Sequence, residues 1–187
     1  MKPGRESAPY ASKLGLLLAT IAAVTLAGCA TNPPWPAIAE GETTKSVAGR
    51  WVWAELFTSE IEKARAFYGD VFGWQFETRG TSEKPYVLVR NEGSPVAGMV
   101  RYPATDEDVL QSRWVGLLSV NDVDATTDSI RKAGGEVLLD PVTLRGRGDV
   151  ALVADPEGAR FGLLATASGD PPDAMPEPGR WLWHELW

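Results

Sequence analysis

The sequence predicts an α+β domain built from two tandem β-α-β-β-β units, and three observations predict it. RWVWAELFT, starting at Arg50, alternates and is rich in aromatic residues, as a half-buried strand is. The stretch after it carries apolar residues at helical spacing. The succession of strand, helix and three short β-rich runs then occurs a second time, so that the two units fill residues 50–166.

In chain order, SEIEKARAFYGDVFG is the first helix. Ser59 with Glu62 reads as a capping box, and Ile61, Ala64, Phe67, Tyr68, Val71 and Phe72 form one apolar stripe. Gly73 stops it. WQFETR, PYVLVRN and PVAGMVRY follow as strands separated by turns bearing Gly, Ser and Glu. The second unit opens with the strand WVGLLSV, Asn121 or Asp122 caps the helix VDATTDSIRKA, and Gly134 and Gly135 end it. EVLLDPV, DVALVAD and ARFGLLAT supply the last strands, with DPEG at 155–158 as a tight turn.

The flanks read differently. Residues 1–28 join Lys2, Arg5 and Lys13 to the apolar run LGLLLATIAAVTLAG, the pattern of a bacterial export signal peptide. Leu26-Ala27-Gly28-Cys29 resembles the lipobox of bacterial lipoproteins. That resemblance implies cleavage before Cys29, lipidation of its sulfur and attachment to a membrane, and Ala30 then favours the outer membrane facing the periplasm. With the one cysteine so used, no thiol remains for a disulfide or a nucleophile. Residues 29–49 read as a flexible tether and 167–179 as a Pro/Gly/Asp linker. GRWLWHELW at 179–187 then restates GRWVWAELF at 49–57, so 180–187 is expected to be the orphan first strand of a second domain. Such a strand needs a covering partner, either its own sheet or a second copy in a homodimer. The net charge of −7 excludes nucleic acid as a partner, since phosphate binding needs a basic face.

WVWAELFTSEIEKARAFYGDVFGW, SPVAGMVRYP, SRWVGLLSVNDVDA and DPEGARFGLL together resemble the vicinal oxygen chelate superfamily, the group of glyoxalase I, bleomycin-resistance proteins and extradiol dioxygenases. The resemblance implies that residues 50–166 close into one glyoxalase-like, cup-shaped β-sheet with the helices outside. It also implies a metal site, because the enzymes of the group hold a divalent ion in the cup with His and Glu. Those ligand positions fall here at Trp53, Val115, Gly162 and near Met99, none of which offers an oxygen or imidazole donor. Neither a metal nor another cofactor is therefore expected. His184, the one histidine, is expected to face solvent on the orphan strand.

With Trp53 inward, strand alternation assigns Trp51, Glu55 and Phe57 to the cup and Val52, Ala54 and Leu56 to the helix side. Met99 and Leu117 are assigned to the same ligand-binding cup, with Ser119 and Tyr86 along its wall. A carboxylate on a buried aromatic face needs a partner, for which Arg90, Arg101 and Arg160 are the candidates. The glycine-rich loop LRGRGD carries Arg145 and Arg147, which either lie over the mouth and draw an anionic ligand or are an exposed pair on solvated surface. The expected function is metal-free binding of a small aromatic or apolar molecule. The alternatives are a lyase or isomerase using Glu55 as catalytic general base, and an interaction lipoprotein pairing through its C-terminal strand.

Overall fold

A computed structural model describes residues 35–40, 43, 45–80, 85–101, 112–172, 177–182 and 184. The signal segment and Cys29, with its proposed lipid, lie outside them. The elements are β1 (Trp51–Thr58), α1 (Ile61–Phe72), β2 (Gln75–Gly80), β3 (Pro85–Asn91), β4 (Ser94–Arg101), β5 (Arg113–Ser119), α2 (Val123–Lys132), β6 (Glu136–Leu144), β7 (Gly148–Ala154) and β8 (Arg160–Thr166). They form the expected α+β arrangement, two β-α-β-β-β units sharing one eight-stranded sheet of order β2-β3-β4-β1-β5-β8-β7-β6. The first strand of each unit lies parallel to the last strand of its own unit and antiparallel to its counterpart in the other.

Side-chain reach shows how strongly this sheet curls. β3 and the start of β7 are five strand spacings apart, about 24 Å in a flat sheet. Arg147, at the entry to β7, nonetheless donates to the Tyr86 hydroxyl of β3 at 2.7 Å. The two halves therefore fold toward each other into a cup, with the helices on the outer face.

The outer core of the first unit joins Leu56, Val87, Val89, Ala97 and Met99 to Ile61 of α1. That of the second joins Val120, Val123, Ala151, Val153 and Leu163, with Ile130 of α2 against them. Asp122 is the cap of α2, accepting from the Ala125 N–H at 2.9 Å. α1 departs from expectation at its start, because the cap position falls on Glu60 without a side-chain cap. Instead the Thr58 hydroxyl accepts the Glu60 N–H, so no Ser59–Glu62 box forms. The stripe is also only partly used. Ile61 is buried and Ala64 and Tyr68 are half-buried, whereas Phe67, Val71 and Phe72 stay exposed to one side of the contact line.

Both flanks pack. Ile38, read as tether, is buried in the cup, where Trp35 joins the same cluster. At the other end Trp181, Leu182 and His184 adopt no strand, and residues 183 and 185–187 of the expected orphan strand lie outside the described residues. Trp181 packs edge-on against Trp114 with ring centroids 5.0 Å apart, and His184 sits between Trp181 and Trp51 at 5.6 and 4.9 Å. His184 is thus half-buried in a ring stack, where a solvent-facing side chain was expected. The tail lies over the middle of the outer face, because a Cβ on Gly116 of β5 would meet Trp51 and His184.

Candidate functional site

The floor of the cup is a buried polar cluster in an aromatic frame. Glu55 and Trp53 come from β1, two residues apart and therefore on one face of the strand. Tyr86 comes from β3 and Arg147 from the turn between β6 and β7. Glu55 is 4 % exposed and Arg147 2 %, so both charges lie out of water. One carboxylate oxygen, Oε1, accepts from Trp53 Nε1 at 2.9 Å, from the Tyr86 hydroxyl at 3.0 Å and from Arg147 Nη1 in a short ion pair. Oε2 has no hydrogen-bond partner among the described residues. Gly98, opposite Glu55 in β4, makes room for this, since a Cβ there would overlap the Tyr86 hydroxyl and the Glu55 carboxylate.

Arg147 organises the cluster. Its guanidinium carbon lies 4.8 Å from the Tyr86 ring centroid and 5.6 Å from those of Trp53 and Trp35. A planar, weakly hydrated cation suits such an aromatic enclosure better than an ammonium would. The turn aims it inward through two glycines, Gly146 at φ 93° and Gly148 at φ 128°. At Gly148 a Cβ would also run into the carbonyl of Ala165 on β8.

Burial pushes the Glu55 carboxyl above its ordinary range, opposed by the Arg147 charge and by hydrogen bonds from Tyr86, Arg147 and Trp53. Burial also works against the Arg147 charge, but Glu55 and Tyr86 outweigh it, and the guanidinium holds its proton more tightly than usual. Tyr86 is pushed well up, by burial first and then by the Glu55 charge, and stays a neutral phenol that donates to Glu55 while accepting from Arg147.

The chain itself covers this cluster. Trp35 lies edge-on to Tyr86 with centroids 5.1 Å apart, and its backbone N–H donates to the Arg145 carbonyl at 2.7 Å. Arg147 Nε donates to the Pro36 carbonyl at 3.0 Å. Ile38 completes the cover, packed with Trp53, Leu117 and Leu164. Between this segment and the tail lies a cleft of about 420 Å³, lined among others by Ile38, Trp53, Val96, Trp181 and His184.

Trp53, Glu55 and Leu117 therefore occupy the cup as expected, and Tyr86 and Ser119 are buried there. Phe57 is half-buried further along β1, opposite Val100 and Arg113. Trp51 and Met99 face the other way. A bulge between Trp51 and Trp53 shifts the register, so Trp51 falls on the outer face, 41 % exposed, and Val52 turns toward the cup cluster in its place. Met99 packs with Leu56 and Ile61 under α1, and its neighbour Gly98 holds the inward position. The partner of Glu55 is Arg147 and none of the three arginines expected. Arg90 pairs with Glu40 and Glu77, Arg101 donates to the Ser59 carbonyl, and Arg160 is exposed. Arg147 is a buried member of the site, while Arg145 is exposed. The signal for it was the pair of glycines around Arg147, which permits the backbone reversal that points a long side chain inward.

The donor set does not fit a divalent metal. Trp53, Gly98, Val115 and Gly162 supply no ligand atom, and Leu117 fills the space that a side chain at Gly162 would need. The one carboxylate of the cluster is committed to a guanidinium. Among the described residues no three His, Cys, Asp or Glu side chains come together.

The family profile described as Glyoxalase/Bleomycin resistance protein/Dioxygenase superfamily matches residues 50–163. The anthracycline biosynthesis protein DauV of Streptomyces sp. (strain C5) is 27% identical over 158 residues, 76% of this chain and 56% of that protein. The putative glyoxylase CFP32 of Mycobacterium tuberculosis is 26% identical over 136 residues, 72% of this chain and 52% of that one. The chain spans about half the length of these curated relatives. Among solved structures, a methylmalonyl-CoA epimerase in complex with methylmalonyl-CoA and NH4+ superposes with a TM-score of 0.50 at 17% identity, over 67% of this chain and 100% of that one.

Proposed function

We propose that this chain, which belongs to the Glyoxalase/Bleomycin resistance protein/Dioxygenase superfamily, binds a small aromatic molecule in its cup without a metal. The observation that carries this reading is the Arg147 guanidinium, set between the rings of Tyr86 and Trp53, with the Trp35 ring and the Pro36 carbonyl seated on its remaining side and its Nε directed away from the ion pair. A buried cation so enclosed offers a flat apolar surface and one directed donor, the pairing of features that a small-molecule pocket uses for affinity and orientation. The name of the Streptomyces relative points to polycyclic aromatic compounds as the class to try first. Glu55 fixes the guanidinium, and Tyr86 and Trp53 fix Glu55.

The test is titration of the full chain with anthraquinone-2-carboxylate, followed by tryptophan fluorescence and calorimetry. Saturable one-to-one binding that weakens about tenfold or more in Arg147→Lys, where the planar fork is lost, supports the reading. Absence of binding by a panel of planar aromatic ketones and acids would end it.

A second reading rests on Glu55 Oε2, the cluster oxygen without a partner, on a carboxyl that burial pushes upward. In that reading Glu55 is a general base that removes a proton beside a carbonyl of the bound molecule. Deuterium wash-in from D2O, present in the wild type and absent in Glu55→Gln, is the result it requires. For the strand-addition reading, Trp181 and His184 are packed, Leu182 is exposed, and none of the three is in a strand, so a pull-down or sizing comparison of the full chain with one ending at residue 179 is its test. Attachment through lipidated Cys29, with the domain at the periplasmic side of the outer membrane, is part of the proposal. Mass spectrometry of the mature N-terminus tests it, and Cys29→Ser should release the protein from the membrane fraction.

A further inference from the structure

We infer that residues 35–40 are a built-in occupant of the cup, which a ligand must displace, and that their contacts define the ligand's pharmacophore. The inference rests on the cup being the binding site, as proposed above. Three observations carry it. The segment lies in the cup yet belongs to no strand or helix, so neither a ladder nor a helical hydrogen-bond series holds it. Its polar attachments among the described residues are few: the Trp35 backbone N–H to the Arg145 carbonyl, the Pro36 carbonyl on Arg147 Nε, and the pair between Glu40 and Arg90 at the rim. Glu40 is half exposed there, so this last tie is screened by solvent.

Each inner contact is also one that a small molecule can reproduce. The Trp35 indole presents an aromatic edge contact to Tyr86 and a π face to Arg147. One residue on, Pro36 presents a carbonyl acceptor to Arg147 Nε, and Ile38 fills the apolar side against Trp53 and Leu117. The matching ligand is a planar aromatic ring system with a carbonyl or carboxylate oxygen beside the ring and an apolar flank. Because Glu55 and Arg147 are almost fully buried beneath the segment, such a ligand reaches them only when it leaves. The apparent affinity is then the intrinsic affinity reduced by the fraction of molecules with the segment out.

Native-state hydrogen exchange on the full chain is the first test, because it needs no ligand. The Trp35 amide should exchange by local opening, about a hundredfold or more faster than the Glu55 amide in the central strand. Exchange of the two amides only together, in global unfolding, would overturn the inference. Calorimetry with anthraquinone-2-carboxylate then compares the wild type with Trp35→Ala/Ile38→Ala, which empties the cup without altering its polar wall. The inference expects affinity to rise about tenfold or more in the variant, and the ligand to speed exchange of the wild-type Trp35 amide. Equal or weaker binding by a folded variant, with Trp35 protection unchanged, would mean that the segment is a fixed wall. Should neither protein bind the probe, the cup reading fails by itself. A synthetic peptide of residues 33–41 then decides the matter: its binding to the variant supports an exchangeable occupant, and its failure to bind removes it. If the variant does not fold, the two wild-type exchange measurements decide.

Discussion

The two segments that flank the domain make an instructive pair. Neither has secondary structure in its described residues, and both are packed, but on opposite faces and by different chemistry. The N-terminal segment lies in the cup, where carbonyl, amide and carboxylate groups tie it to Arg147, Arg145 and Arg90. The C-terminal tail lies on the outer face and is held by ring stacking from Trp114 through Trp181 and His184 to Trp51. Two hydrogen bonds help, from Trp74 Nε1 to the Gly179 carbonyl and from Asn91 Nδ2 to the Pro178 carbonyl. Directed polar contacts can be taken over by a ligand with the same donors and acceptors, whereas a stack of tryptophans offers an incoming molecule nothing specific to replace. One segment is an exchangeable cover and the other is part of the wall.

The largest effect that should separate them is removal of the cation. Arg147→Met leaves the Glu55 carboxylate buried without a counter-charge, and breaking such a pair costs about 3–5 kcal/mol. It also removes both the donor to Pro36 and the cation beside Trp35, so the N-terminal segment should become protease-sensitive while the tail keeps its protection. Urea unfolding and limited proteolysis measure the two effects. Trp181→Ala should do the reverse, with a loss of about 1–3 kcal/mol because the ring is only half-buried. Equal sensitivity of both segments in both variants would break the comparison.

How much of this was legible in the sequence follows the physics of each region. Within β1, period-two alternation placed Trp53 and Glu55 correctly, and within β5 it placed Leu117, because regular pairing preserves the period. Trp51 was misplaced because a bulge reverses the parity of everything before it, and a bulge between two tryptophans has no sequence mark. Met99 failed by one residue for a different reason, since only the register with β1 shows that Gly98 is opposite Glu55. Arg147 is a long-range contact 92 residues from its partner, and short periodicities do not reach so far. The two flanks were read as tether and strand because aperiodic segments dock through individual side chains. Ile38, Trp35 and Trp181 carry that information only once the faces that receive them exist.

A smaller contrast comes from two glycines that serve the two faces. At Gly98 a methyl group would meet the Glu55–Tyr86 pair, which buried hydrogen bonds prevent from moving. At Gly116 it would come within 2.8 Å of the Trp51 ring and 3.2 Å of His184, side chains with solvent on one side. Overpacking costs about 1–3 kcal/mol where neighbours cannot yield. Gly98→Ala should fall at the upper end and disturb ligand binding. Gly116→Ala should fall at or below the lower end, with binding intact. Thermal unfolding with and without anthraquinone-2-carboxylate would expose any reversal of that order.

The smallest effect is a pH dependence confined to the tail. Burial pulls the His184 imidazole below its ordinary value of 6.5, since the stack between Trp51 and Trp181 desolvates the ring. A depressed value means that the undocked tail binds the proton more readily than the docked one. The stabilisation is therefore fully present above pH 6.5 and is lost progressively as the pH falls below that value, levelling off once the docked form is protonated too. The charged groups nearby include Arg180 and Glu177, which pair with each other and lie along the same cleft. Tail docking, followed by tryptophan fluorescence between pH 8 and 5 (about the range in which an imidazole titrates), should weaken on acidification in the wild type. In His184→Asn the profile should be flat. The N-terminal segment should show no matching change there, because its inner contacts run through Arg147, whose guanidinium keeps its charge across that range. Joint release of both segments on acidification would mean that they are coupled through the cleft between them, and the division between exchangeable cover and fixed wall would fall.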